Sequence, residues 1–411
     1  MFDDLRKLSH RFLSITNSSY RRYIIRSINF DTRMSLIVGQ RGVGKTTTLV
    51  QLLLDRVEGD IFDNRILYIQ SDHFKIATMS LYEIAEEFST LGGKWIAFDE
   101  VHKYPNWSNE LKSIYDTFPE LQIFASGSSA LELYKGSHDL SRRAIRHYMN
   151  GMSFREYLEL IYDIELQTYS LNDLCHTHER IAAEIIAKLS KQDQKVIPLF
   201  QQYLKNGYYP FFHELNDEAL YKTVLEQNLH TTIESDIAAI FPTLTGNSIK
   251  KIKQLLIFIA NAVPFTPNWK KIMSALEIGD DRTLKLYFKH LEDAGLIRCL
   301  SRASKKFSAL ESPEKVYLDN PNQIFAISSF DRFKKGTIRE TFFLSMVSQQ
   351  HGICLPKSGD FIVDDMYTFE VGGKNKTFHQ ISSTKDAYLA CDDIEQGAGG
   401  KIPLWLFGFL Y

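Results

Sequence analysis

Short apolar runs alternate with segments of helical pattern through the first 150 residues. MSLIV (34–38), RILYIQ (65–70), KWIAF (94–98) and LQIFAS (121–126) are five or six residues long and bounded by polar turns. Runs of that length, separated by helix-length stretches, predict strands of a parallel sheet buried on both faces. From about residue 151 the pattern lengthens: FREYLELIYDI and RIAAEIIAKLS place apolar residues at helical spacing. Pro264 and Pro267 punctuate a compact helical region, and after about residue 300 a β-like signal returns in EKVYLD (314–319), DFIVDD (360–365) and MYTFEV (366–371). No fixed-period repeat or low-complexity tract breaks the chain, so solenoids and long flexible linkers are excluded.

A length of 411 residues accommodates several domains. The pattern divides into an α/β domain (1–150), a helical region (151–245), a helix-turn-helix region (246–320) and a small α/β domain (321–411). Lys and Arg number 48 against 50 Asp and Glu, which excludes a globally basic nucleic-acid coat and an acidic tail while leaving room for a local basic face. Cys175, Cys299, Cys354 and Cys391 are far apart and form no Cys-x-x-Cys pair, so neither a disulfide scaffold nor a zinc ribbon is expected. Cys175-His176-Thr177-His178 lacks the partner pair of a structural zinc site. The N-terminus has no signal-peptide core. The longest apolar stretches, LLIFIANAVPF (255–265) and IPLWLFGFLY (402–411), fall short of the roughly 20 residues that cross a bilayer. A cytoplasmic protein without a membrane partner is expected, with IPLWLFGFLY as a buried terminal strand.

The strongest chemical signal is Gly39-Gln40-Arg41-Gly42-Val43-Gly44-Lys45-Thr46, followed by Thr47. It matches G-x-x-x-x-G-K-[ST], with the strand before it and the helix after it that the pattern requires. Glycines let several N–H groups turn toward phosphates, and the helix N-terminus adds partial positive charge. Lys45 is expected at the β- and γ-phosphates and the Thr46 hydroxyl on Mg²⁺. The run Trp95-Ile96-Ala97-Phe98-Asp99-Glu100 is an apolar strand ending in two carboxylates. Asp99 there suits the metal shell and Glu100 an attacking water. Binding alone needs the first acid and not the second, so the pair predicts hydrolysis. Asp72 reads as a helix cap, and His102 as a hydrogen-bonding residue in a turn.

The strings GQRGVGKTT, FDEVHKYPNWSNELKSIYD, FASGSSALEL and DLSRRAIRHYMNGMSFREYLEL resemble bacterial and archaeal ATPases of the AAA superfamily. Those proteins carry a C-terminal winged-helix and nuclease-like extension. The resemblance continues through YLKNGYYPFF, HLEDAGLI, EKVYLDNPN and FEVGGKNK and covers nearly the whole chain. It implies ATP, rather than GTP, as the nucleotide. It also implies that Ser126 is the polar sensor of the γ-phosphate or water, with Ser128 as the alternative. Arg142 and Arg143 lie where such ATPases place an arginine serving γ-phosphate charge, in cis or in trans, a task suited to the fixed guanidinium fork. Surface charge is the competing reading for both.

Residues 269–294 carry a helix-turn-helix pattern: WKKIMSALEI, a turn at Gly279-Asp280, then DDRTLKLYFKHLEDA. Leu284, Tyr287, Phe288 and Leu291 share one helical face, and Gly295 is placed to end the helix. Arg282, Lys285 and Lys289 share another, and Arg298, Arg302, Lys305 and Lys306 fall in the expected wing. Residues 246–320 hold 13 Lys and Arg against 8 Asp and Glu, leaving the rest of the chain at −7. Such asymmetry suits phosphate tracking, although Asp280 and Asp281 oppose it. Nucleic acid and protein therefore both stand as partners, and oligomerisation is open.

Glu340, Asp360 and Glu370 follow the order of the PD-(D/E)xK nuclease fold, which they resemble. The lysine position is Gly372. Lys374 shares the strand face but lies about 6.6 Å further along; a bend at the two glycines could rescue a displaced lysine, and an inactive scaffold is the expected reading. The sequence as a whole predicts an Mg-dependent ATPase working as a nucleotide-driven switch coupled to nucleic-acid contact. The alternatives are a protein-assembly switch or an ATP-regulated nuclease.

Overall fold

All five residues of Met34–Val38, strand β1, are buried, as a strand covered on both faces requires. The computed structural model describes the chain apart from residues 1, 77, 129–139, 141, 216, 242, 263–265, 303–312 and 328–334. With β2 (Ile66–Gln70), β3 (Trp95–Asp99), β4 (Gln122–Gly127) and β5 (Ile145–Tyr148), β1 forms a sheet of order β2-β3-β4-β1-β5. Every neighbouring pair is parallel. Among the described residues its longer helices are α1 (Phe2–Thr16), α2 (Lys45–Asp55), α3 (Leu81–Thr90) and α4 (Trp107–Thr117). Ser80 and Glu83 close a capping box on α3, satisfying N–H groups that a helix start leaves unpaired. Leu36, Leu67, Ile69, Ile96, Phe98 and Ile123 pack with Leu5, Ile84, Phe88, Leu111 and Ile114 of the helices in one core. The order sets β4 between β1 and β3, so residues at the end of β4 lie between the glycine loop and the paired acids.

Contacts divide the chain into two units. The first is residues 1–151 with 231–245, and the second is residues 152–230 with 246–411. The second begins with α5 (Phe154–Tyr162), α6 (Leu171–Ser190), α7 (Val196–Asn206) and α8 (Glu218–Thr231). Ser153 with Glu156 and Ser170 with Asp173 cap α5 and α6. Three further helices, α9 (Gly246–Ala260), α10 (Trp269–Ala275) and α11 (Asp281–Asp293), lead into an antiparallel ribbon of β6 (Ile297–Leu300) and β7 (Lys315–Leu318). Leu284, Tyr287, Phe288 and Leu291 are buried together, and Gly295, at φ 71°, ends α11. A helix, α12 (Lys335–Val347), then precedes the second sheet. Its strands are β8 (Ile353–Cys354), β9 (Phe361–Val363), β10 (Tyr367–Gly372), β11 (Ala387–Cys391) and β12 (Lys401–Pro403), in the order β12-β11-β10-β9-β8. β8, β9 and β10 are antiparallel neighbours, whereas β10, β11 and β12 run parallel.

The expected terminal strand is only partly formed. β12 stops at Pro403, which has no N–H to continue a ladder, and Leu404–Phe409 winds into buried 3₁₀ turns. Gly408 permits this because a Cβ there would meet the Phe154 Cβ at 2.5 Å. Among the described residues no helix is long and apolar enough to cross a membrane.

Candidate nucleotide site

The glycine loop runs from the end of β1 to the first turn of α2. Gly42 and Gly44 adopt φ 85° and 103°, in the left-handed region that residues with a Cβ rarely occupy. At Gly39 a Cβ would stand 2.3 Å from the Met149 carbonyl oxygen, so the loop has no room for a side chain there. Arg22 braces the loop from outside, donating to the carbonyls of Val43 and Asn150, the latter at 2.8 Å. The Lys45 ammonium is buried and donates to the carbonyl oxygens of Gly39 (2.9 Å) and Gln40 (3.0 Å). Burial holds its pKa below the usual lysine range despite the opposing pull of Glu100, Asp99 and Asp236.

The carboxylate of Asp99, at the end of β3, joins α2, β2 and β4. Its Oδ2 accepts from the Thr46 hydroxyl at 2.7 Å and from the Tyr68 hydroxyl at 2.6 Å. Its Oδ1 accepts from the Ser126 hydroxyl and, at 3.1 Å, from the Glu100 amide, which also donates to Ser126 Oγ at 3.0 Å. Glu100 follows at φ 53°, a left-handed conformation that turns its side chain out of the strand. The Glu100 carboxylate lies 4.0 Å from Lys45 Nζ, 3.6 Å from His102 Nε2 and 3.4 Å from Lys103 Nζ. Burial alone would raise its pKa, but Lys45, with His102 and Lys103 beside it, outweighs burial and holds it below the usual glutamate range. Glu100 is therefore ionised at neutral pH.

Thr46 and Asp99 present two hard oxygen ligands side by side at the mouth of a loop that a Cβ would fill. That donor set suits Mg²⁺, and the loop suits a phosphate chain.

Other expected residues lie differently. Arg143 makes a two-point pair with Asp116, both contacts at 2.8 Å, and Arg142 is exposed. Ser126 is fully engaged by Asp99 and Glu100, whereas the buried hydroxyl of Ser128 has no hydrogen-bond partner among the described residues. Asp72 caps no helix; it receives the Lys103 ammonium at 2.6 Å. Three contributors went unread in the sequence: Arg22, Tyr68 and Asp236. The tyrosine hydroxyl inside the otherwise aliphatic RILYIQ was the one local sign.

In the second unit, Lys285 pairs with Asp281 at 2.7 Å, Lys289 with Asp293 at 3.2 Å and Arg302 with Glu314 at 3.5 Å. Arg298 is tied to Asp319 at 2.7 Å. Lys305 and Lys306 lie outside the described residues. Near the second sheet, Glu340 accepts from the Tyr317 hydroxyl at 2.7 Å, and Lys315 Nζ sits 3.7 Å from Glu340 and 4.0 Å from Asp360. Lys376, rather than Lys374, reaches Glu370. A turn closed by the Lys376 amide on the Gly373 carbonyl folds the chain back and leaves Lys374 exposed. Burial, with Asp360 adding to it, pushes the Glu340 carboxyl above the usual range, and burial does the same at Glu370.

Residues 31–158 match a family described as an AAA domain, and residues 197–321 match a domain of unknown function, DUF8612. An uncharacterised protein of Methanocaldococcus jannaschii is 27% identical over 406 residues, covering 91% of this chain and 82% of that one. Among solved structures, the ORC1 protein of Aeropyrum pernix in complex with DNA superposes with a TM-score of 0.30 at 13% identity, covering 80% of this chain and 92% of that one. AMPPCP-bound DnaA from Aquifex aeolicus gives 0.26 at 14% identity, covering 71% and 88%. Superpositions this loose transfer neither partners nor activity. The family match and the all-parallel five-stranded sheet agree on an AAA-type P-loop domain in the first unit.

Proposed function

We propose that this chain binds ATP with Mg²⁺ and hydrolyses it, using the turnover as a conformational switch. The observation that carries the reading is the 2.7 Å contact between Thr46 and Asp99, with ionised Glu100 beside Lys45. Backbone N–H groups of residues 42–46 and the Lys45 ammonium would take the phosphates, exchanging carbonyl partners for more strongly accepting oxygens. Thr46 and Asp99 would hold the metal, which supplies charge neutralisation on the phosphates when bound. Glu100 would orient a water and accept its proton. Ser126 fixes Asp99 and the Glu100 amide, so Ser128, whose buried hydroxyl has no hydrogen-bond partner among the described residues, is the better candidate for contact with the γ-phosphate. The hold of Asp116 on Arg143 favours Arg142 as the arginine that serves a nucleotide, in cis or in trans.

In the second unit, α9, α10, α11 and the β6–β7 ribbon follow the order of a winged helix. The order α12, then antiparallel β8–β10, then parallel β11 follows that of a PD-(D/E)xK domain. Ammonium groups of Lys315 and Lys376 lie against its three acids. The ion pairs of Lys285, Lys289 and Arg302 favour a second reading, in which this region contacts protein instead of nucleic acid.

An ATPase assay with and without duplex DNA, across 50 to 200 mM salt, separates the two. Nucleic-acid coupling predicts stimulation that falls steeply with salt, by about tenfold or more over that range. A flat, DNA-independent rate accompanied by ATP-dependent growth in light scattering would establish the protein-assembly reading and eliminate the other.

A further inference from the structure

Residues 231–245 are the one part of the chain beyond 151 that belongs to the first unit. Within them Thr232–Ile237 forms a π-helical turn, an uncommon conformation that concentrates at functional sites. The turn carries Asp236, 2% exposed, to the rim of the glycine loop. Its Oδ1 accepts from Arg41 Nη2 at 3.1 Å and lies 3.6 Å from His102 Nε2. The Ser128 amide donates to His102 Nδ1 at 3.3 Å, which assigns the ring proton to Nε2. That N–H therefore faces Glu100 and Asp236, each 3.6 Å away. One buried carboxylate thus meets a side chain of the phosphate loop and, across one imidazole, the acid set beside Lys45. A carboxylate removed from water is costly unless paired, and Arg41 and His102 are its partners. Arg41 keeps a second donor in reserve: its buried Nε–H has no acceptor among the described residues.

We infer that Asp236 is a positioning residue of the nucleotide site, holding Arg41 against the phosphate loop and His102 against Glu100. This rests on the nucleotide reading above. The Arg41 guanidinium has a fork that matches phosphate oxygens as well as carboxylate. A bound phosphate chain therefore competes with Asp236 for Arg41, and the 231–245 segment senses whether the loop is filled.

The test uses the full chain with Asp236→Asn, Asp236→Glu, Arg41→Gln and the Asp236→Asn/Arg41→Gln double variant. Asp236→Asn is expected to lower kcat about tenfold while KM for ATP moves less than about threefold, and Asp236→Glu to recover most of the loss. In the double variant the two effects should not multiply, because both remove the same contact. Without any nucleotide, amide exchange across residues 39–46 should rise about tenfold in Asp236→Asn, since the loop loses its tether. Multiplying kinetic effects, an unchanged kcat or unchanged exchange each overturn the role of Asp236 in a protein that still turns over ATP. If wild type neither binds nor hydrolyses ATP, the nucleotide reading falls and takes this role with it. Raised exchange in Asp236→Asn would then mark a purely structural tether.

Discussion

Glu100→Gln is expected to bind ATP about as well as wild type and to hydrolyse it about a thousandfold more slowly, within the range that a positioned general base contributes. The substitution keeps the shape of the side chain and its left-handed backbone, which the amide contacts to Asp99 and Ser126 secure. It removes the negative charge that Lys45, His102 and Lys103 keep ionised. An amide cannot take a proton from water, so binding and turnover separate. Steady-state ATPase rates combined with a fluorescent-nucleotide titration read both quantities. Turnover within threefold of wild type would remove Glu100 from the chemistry.

Lys45→Ala acts on binding instead. The ammonium is buried, and its donors point to the carbonyls at the head of the loop, where a phosphate would stand. Losing it deletes one positive charge from a desolvated pocket and leaves Glu100 facing the Lys103 ammonium and the His102 ring. A buried charge left without its partner costs about 3–5 kcal/mol, which corresponds to a loss of ATP affinity of at least about a hundredfold. The fold should persist, because the sheet core does not include this side chain. Unaltered circular dichroism with abolished ATP binding is the expected pair of results. An affinity within threefold of wild type would show that the loop is not a phosphate cradle.

How much of this was legible in the sequence depended on whether the signal was local. Strands β1 to β4 are buried runs, and each is readable within its own residues. β5, Ile-Arg-His-Tyr, buries only His147 at the sheet edge and looks polar along the chain. The glycine loop and the Asp99-Glu100 pair are contiguous motifs, so their residue types and spacing carry the chemistry. The contacts of Tyr68 and Ser126 with Asp99 exist because β3 pairs with β2 and β4, and that order is a long-range property. Asp236 is more than a hundred residues from every partner except through the fold, and nothing in TTIESDI marks it.

Two misplacements have equally physical causes. Extrapolating the strand past Gly372 pointed to Lys374, whereas the chain turns at Gly373 and delivers Lys376 to Glu370. The cations of α11 looked like a free face, yet Asp281 and Asp293 stand four residues from Lys285 and Lys289, a spacing at which helical side chains meet.

The central claim is that a triphosphate and its metal share the cradle formed by residues 39–46 and Asp99. Calorimetric titration of the wild-type chain with ATP, with and without Mg²⁺, tests it most directly. One saturable site per chain, tighter by about tenfold or more with Mg²⁺ and lost in Asp99→Asn under the Mg²⁺ condition, is the predicted result. No saturable binding at millimolar ATP, or binding indifferent to both Mg²⁺ and Asp99, would contradict it.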